Sequence, residues 1–151
     1  MLQSRQRTLF SSASDRWATP AELKNALYTE FCLNFDACPL DGISDGLAPL
    51  FVSWYGKRVS CNPPYGPGIQ DWLLRGFEAE IAVYLLPART DTKWFHGLCL
   101  PKAKEIRFVK GRLKFGNAVN GAPFPSMIVI FEAAVHADGP SMRDESASHM
   151  S

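Results

Sequence analysis

Residues 58–77 read RVSCNPPYGPGIQDWLLRGF. Arg58 to Cys61 alternate polar and apolar, as the end of a strand does, and Ile69, Trp72, Leu73 and Phe77 recur at helical spacing. Pro63 and Pro64 between them cannot continue either element, because each lacks the amide hydrogen and has a locked φ. Strand, rigid corner and helix in succession form the unit of an α/β layer fold. The corner falls at the carboxyl end of its strand, where such sheets bind ligands.

Working outward, IAVYLLPA (81–88) is apolar on both pleat faces and reads as a central parallel strand covered by helices. Upstream, WATPAELKNALYTEFC predicts a helix with Thr19 as N-cap, Pro20 at the first helical position and Glu22 closing a capping box. Leu23, Ala26, Leu27 and Phe31 give it one apolar face. LNFDAC is a short strand ending in Asp36, and the Gly-, Asp- and Pro-rich stretch after it reads as loop. Downstream, ARTDTKWFHGLCLP is a loop entering a helix capped by Thr90 or Asp91. EIRFVKGRLKF reads as a hairpin about Lys110-Gly111, and SMIVIFEA as a closing apolar strand. The expected architecture is α/β, a mostly parallel sheet with helices on both faces and an antiparallel edge. One domain is expected over residues 15–135, between a flexible arm (1–14) and a disordered tail (136–151).

The 151 residues, 46% hydrophobic and 21% charged, suit one globular domain, and no apolar run approaches a membrane span. A soluble, cytoplasmic protein is expected, with no membrane partner. Cys32, Cys38, Cys61 and Cys99 show no C-x-x-C spacing and read as buried free thiols, and the three histidines have no metal-ligand spacing, so no metal is expected. The net charge of +1 conceals a run from Lys102 to Lys114 with six basic residues against Glu105. Such a run suits a polyanionic partner, with a solvated hairpin as the alternative.

The corner suggests a chemistry. Asn62 offers an amide oxygen, and the carbonyl of Pro63 precedes a residue with no N–H. Two acceptors at fixed positions can hold both hydrogens of one exocyclic amine, drawing its delocalised lone pair toward a methyl electrophile. An adjacent flat ring, Tyr65, can stack on a flipped base. By this reading Asn62→Asp keeps activity, since a carboxylate also accepts.

The ordered set W-x-TP, FDAC, DGL at Asp45, W-x-G at Trp54, NPPYG, LLPARTDTKWFH, IRFVKGRLKFG and FPSMIVIF resembles the phage-encoded DNA N6-adenine methyltransferase family. The resemblance implies a truncated class I (Rossmann-like) methyltransferase fold, S-adenosylmethionine as cofactor and DNA as partner, in a bacterial host's cytoplasm and in a restriction-modification setting. Asn62, Pro63, Pro64 and Tyr65 would be catalytic. Trp17, Thr19, Pro20, Asp36, Ala37 and Asp45 would line the cofactor site. For DNA contacts we expect Arg89, Lys93, Lys110, Arg112 and Lys114; His96 is expected to be structural. The chain departs from the wider methyltransferase pattern in lacking a Gly-rich loop after Asp36 and two strands between Asp36 and Lys57. NPPY also occurs in enzymes acting on RNA bases, cytosine N4 or protein glutamine, and a DNA-binding relic without turnover is a further alternative.

Overall fold

The computed structural model describes residues 17–39, 52–116, 118–133 and 141–144. The proposed arm and Asp45 lie outside them. The elements are α1 (Ala21–Phe31), β1 (Phe35–Asp36), β2 (Arg58–Cys61), α2 (Ile69–Arg75), β3 (Ile81–Pro87), a π-helical turn (Phe95–Cys99) continuing into α3 (Leu100–Lys102), β4 (Glu105–Phe108), β5 (Ser126–Glu132) and β6 (Ser141–Asp144). They form one mixed sheet of six strands in the order β1-β2-β3-β5-β4-β6.

Strands β1, β2 and β3 pair in parallel, with Phe35 opposite Val59 and Val59 opposite Ala82. All seven residues of β3 are buried, as its unbroken apolar run requires. Strand β5 pairs antiparallel with both β3 and β4, and β6 pairs in parallel with β4. The expected antiparallel edge is therefore an interior antiparallel strand. The described residues of the 17-residue link from β4 to β5 (109–125) form no helix, so β5 turns back beside β4. It then fills the gap that the 88–104 crossover leaves beside β3.

Three other expectations are corrected. The hairpin does not form. Glu105–Phe108 is a strand, but β5 and β6 occupy both of its edges, and the chain beyond Phe108 leaves the sheet through Gly111, at φ +75°. Ser141–Asp144, placed in the disordered tail, pairs with β4 as edge strand β6. The turn before the π-helix is tied by Thr92, whose hydroxyl donates to the Arg89 carbonyl (2.8 Å) and accepts from the Phe95 amide (3.3 Å), and not by Thr90 or Asp91. The π-turn itself, with the Leu100 amide donating to the Phe95 carbonyl, precedes Pro101, which cannot donate to Gly97 and would crowd its carbonyl in a regular helix.

The core sits on β3 and β5 and takes in Trp54, Trp72, Leu73, Tyr84 and Phe131. Leu23 and Leu27 dock the apolar face of α1. Arg107, 2% exposed, joins α1 to β4 through Glu30 (Nη1 to Oε1, 2.7 Å) and also pairs with Glu105. Three cysteines are buried, whereas Cys32 is exposed: it ends α1 in the left-handed conformation (φ 51°), a position that turns the chain out of the helix.

Candidate active site

The carboxyl ends of β1, β2, β3 and β4 point one way, and antiparallel β5 begins on that same side. Asp36, Asn62, Arg89, Lys110 and Phe124 are thereby gathered along one edge of the sheet. A cavity of about 150 Å³ opens there, lined by Trp17, Ala18, Thr19, Lys24, Asp36, Cys38, Pro39, Ser60 and Asn62. It unites Trp17, Thr19, Asp36 and Asn62, four residues singled out in the sequence. Pro20 and Ala37 are not among its walls. Ala37 is fully buried and its amide extends the ladder to Ser60 (2.8 Å).

Helix α1 begins one residue later than its cap signature predicts. Pro20 occupies the N-cap, no side chain caps the helix, and the capping box of Thr19 and Glu22 does not form. The Thr19 hydroxyl is engaged elsewhere. Asn62 Nδ2 donates to Thr19 Oγ1 (3.0 Å) and to the main-chain carbonyl of Trp17. The opposite atom of the same amide, Asn62 Oδ1, is buried and has no partner among the described residues. No main-chain bond reaches the Pro63 carbonyl among the described residues. The corner is closed by the Gly66 amide on the Pro64 carbonyl (3.1 Å). A buried, unsatisfied acceptor costs on the order of 1–3 kcal/mol.

Asp36 has two tasks. One oxygen accepts from the Cys38 amide (3.1 Å), closing an Asx turn, and the other holds the Lys24 ammonium (3.0 Å). The carboxylate is thus fixed by its own backbone and already grips a cation.

Tyr65 is 4% exposed, and its hydroxyl donates to the Leu85 carbonyl (2.9 Å). Its ring meets Phe124 (5.5 Å) and Phe115 (6.5 Å) edge to face, and the same two rings contact Trp17 at 5.2 and 5.5 Å. Burial pushes the phenol pKa well up, with Cys61 adding and Arg89 opposing, so the group is a neutral hydrogen-bond donor. A base could face this ring only after Phe115 or Phe124 gives way.

The basic run divides. At the amino end of β4, Lys102 lies over the Phe77 ring and Lys104 pairs with Glu132, and within the strand Arg107 is buried in its ion pairs. Lys57 and Arg58 are likewise at the amino end of β2, over Phe35 and against Glu80. Lys110, Arg112 and Lys114 lie past the carboxyl end and are exposed, as are Arg89 and Lys93. Among the described residues none of these five pairs with a carboxylate. Their loop is pinned to the cavity by the Gly116 amide on the Ala18 carbonyl (2.9 Å) and by the Phe115 ring. His96 Nε2 bonds the Thr90 carbonyl (2.7 Å), a structural tie on the same side.

Sequence reasoning missed Lys24, Ser60, Phe115 and Phe124. Lys24 did leave a signal: a cation in the first turn of a helix opposes the macrodipole and needs a local reason, which Asp36 supplies. The phenylalanines fall in quoted motifs, but nothing in their spacing ties them to Tyr65.

Among the described residues no group of three or more His, Cys, Asp or Glu side chains converges, and no helix is long and apolar enough to cross a membrane. No curated protein matches the chain significantly. The sequence profile of the family described as DNA N-6-adenine-methyltransferase (Dam) matches residues 6–143. With a buried amide acceptor at a strand's carboxyl end and a match over most of its length, the chain belongs to the DNA N-6-adenine-methyltransferase (Dam) family, whose reaction places a methyl group on N6 of adenine in DNA.

Proposed function

We propose that the methyl donor is S-adenosylmethionine, that the cavity beside Asp36 holds its amino-acid end, and that Asn62 and Pro63 hold the target adenine amine. The observation behind this reading is the buried Oδ1 of Asn62, without a partner among the described residues, on the wall shared with Asp36. The cavity residues fit the cofactor: Asp36 already binds an ammonium, and Asp36 and Lys24 together match a group carrying one ammonium and one carboxylate. Its volume of about 150 Å³ is smaller than whole-ligand pockets, which run roughly 300–1,000 Å³, so the described walls account for one end only. When bound, the cofactor supplies an electrophilic methyl group.

The chain's own contribution is positioning and electrostatics. Asn62 Oδ1 and the Pro63 carbonyl accept the two N–H hydrogens of N6, which withdraws the nitrogen lone pair from the ring. Pro63, less than 2% exposed, and Pro64 keep this pair of acceptors rigid. Tyr65 lends a ring face to the base once Phe115 or Phe124 moves. Arg89, Lys93, Lys110, Arg112 and Lys114 contact phosphates. The fold is a shortened class I methyltransferase sheet, and phage-borne methylation related to restriction-modification is the setting this reading suits.

The test is methylation of unmodified duplex with labelled S-adenosylmethionine, followed by modification-sensitive sequencing. We expect label at adenine N6, and Asn62→Ala to lower turnover about 10²-fold or more with cofactor binding retained. An Asn62→Ala enzyme of near wild-type rate refutes the grip on the amine. Label on cytosine, or transfer to RNA in competition, refutes the substrate assignment.

A further inference from the structure

The orientation of the Asn62 amide is set from outside the corner. Of its two neighbours, the Trp17 main-chain carbonyl can only accept, so the amide hydrogens must face it. Thr19 Oγ1, at 3.0 Å, takes the second hydrogen. With both hydrogens committed to one side, Oδ1 is turned to the other, where it stands buried without a partner among the described residues. The segment making these contacts is itself anchored independently of Asn62. The Gly116 amide bonds the Ala18 carbonyl between them (2.9 Å), and the Trp17 indole packs on the edges of Phe115 and Phe124.

We infer that residues 17–19 are the positioning strap of Asn62, with Thr19 as a positioning residue, and that the strap makes position 62 selective for an amide over a carboxylate. The inference rests on the reading of Asn62 as the grip on the adenine amine. Chemistry at the corner alone tolerates either side chain, since both accept. The strap does not: the Thr19 hydroxyl could turn to donate to an ionised carboxylate, but one carboxylate oxygen would stand against the Trp17 carbonyl oxygen, which can only accept and would lose its donor. The expectation that Asn62→Asp keeps activity is thereby reversed. A protonated carboxyl could serve, donating to Trp17 while its other oxygen accepts.

Four variants, Thr19→Val, Thr19→Ser, Asn62→Asp and Asn62→Ala, are compared with wild type by single-turnover methylation at saturating cofactor across pH 5.5–8.5, with near-ultraviolet dichroism and cofactor calorimetry as controls. Around the position, α1 contributes Lys24, the β1 end Asp36 and Cys38, β2 Cys61, the corner Tyr65 and the loop after β3 Arg89. Rates are therefore taken as a ratio to wild type at each pH. Thr19→Val, which keeps the shape and removes the acceptor, should lower the rate about 3- to 10-fold, the worth of one hydrogen bond, while Thr19→Ser restores it. Asn62→Asp should be down about 10²-fold near pH 8 and recover relative to wild type as pH falls and the carboxyl protonates. A purely structural role for the strap would give no such slope. If Asn62→Ala is inactive but Asn62→Asp matches wild type at every pH, or Thr19→Val turns over normally, the strap inference is wrong and the grip stands. If Asn62→Ala is itself active, the grip has failed first.

Discussion

Neutralising one end of the basic run and not the other should separate DNA contact from solvated charge. The perturbation is Lys110→Gln, Arg112→Gln and Lys114→Gln together, set against Lys102→Gln with Lys104→Gln at the opposite end of β4. The first three extend past the carboxyl end without carboxylate partners among the described residues, while Lys104 is paired with Glu132 and Lys102 with an aromatic face. Each phosphate contact contributes a slope of about −0.9 in log affinity against log salt, so losing one to three contacts flattens the slope by about 0.9 to 2.7. Over a fourfold salt range the larger figure is roughly a 40-fold narrowing of the change in affinity. Fluorescence anisotropy on a labelled duplex at several salt concentrations reads this directly, and cofactor calorimetry should show no change. Equal flattening by both sets of substitutions, or none by the triple variant, would refute the assignment of the DNA face to the carboxyl edge.

Tyr65→Phe leaves the ring but strips the Leu85 carbonyl of its donor, so it should cost about 1 kcal/mol, or a melting shift of about 2–4 °C, with methylation retained; Tyr65→Ala should lose both stability and activity. Gly76→Ala places a methyl 2.4 Å from the Tyr84 hydroxyl, itself bonded to the Trp72 carbonyl (2.6 Å), and should destabilise by about 1–3 kcal/mol in urea unfolding. Burial pushes the Cys99 thiol from 9.0 to about 12, and the same cause raises Cys61, Tyr65 and Tyr84, so the folded state holds these protons more tightly than the unfolded one. Stability contributed this way is intact below pH 9 and lost progressively toward 12, and Cys99→Ala should flatten the decline in melting temperature over that window. Alkylation of the native protein at pH 8 should label Cys32 well ahead of Cys38, Cys61 and Cys99, as peptide mass mapping can show.

Periodicity made the layers legible but not the strand directions. IAVYLLP and SMIVIFE are both buried on both faces, so the cue for a covered parallel strand matched each, yet only the first has parallel company. Direction is decided by the connection: the described residues of the link from β4 form no crossover helix, and that was hidden by reading Arg112–Phe115 within it as the second strand of a hairpin. Thr19 shows the same limit at one residue. Its sequence neighbours give an N-cap signature, but a residue 43 positions away claims its oxygen, and local spacing contains no information about that competitor. Asp36 and Asn62 were legible because each follows directly from a strand. Phe115 and Phe124 were not, because their meeting with Tyr65 depends on a loop path.

The place of β5 in the sheet bears on how the chain comes to be assembled. Ile81 lies opposite Glu132 and Glu105 opposite Ile130, so the strand that joins β3 to β4 is made after both of them. Until residues 126–132 leave the ribosome, the nascent chain holds the parallel set β1-β2-β3 and the lone strand β4 with nothing between them, and β3 and β4 each keep a bare hydrophobic edge that can recruit a foreign strand. Chains stopped at residue 125 should therefore aggregate although all of the described cavity walls are already encoded. Release of soluble protein should track completion of this one late segment.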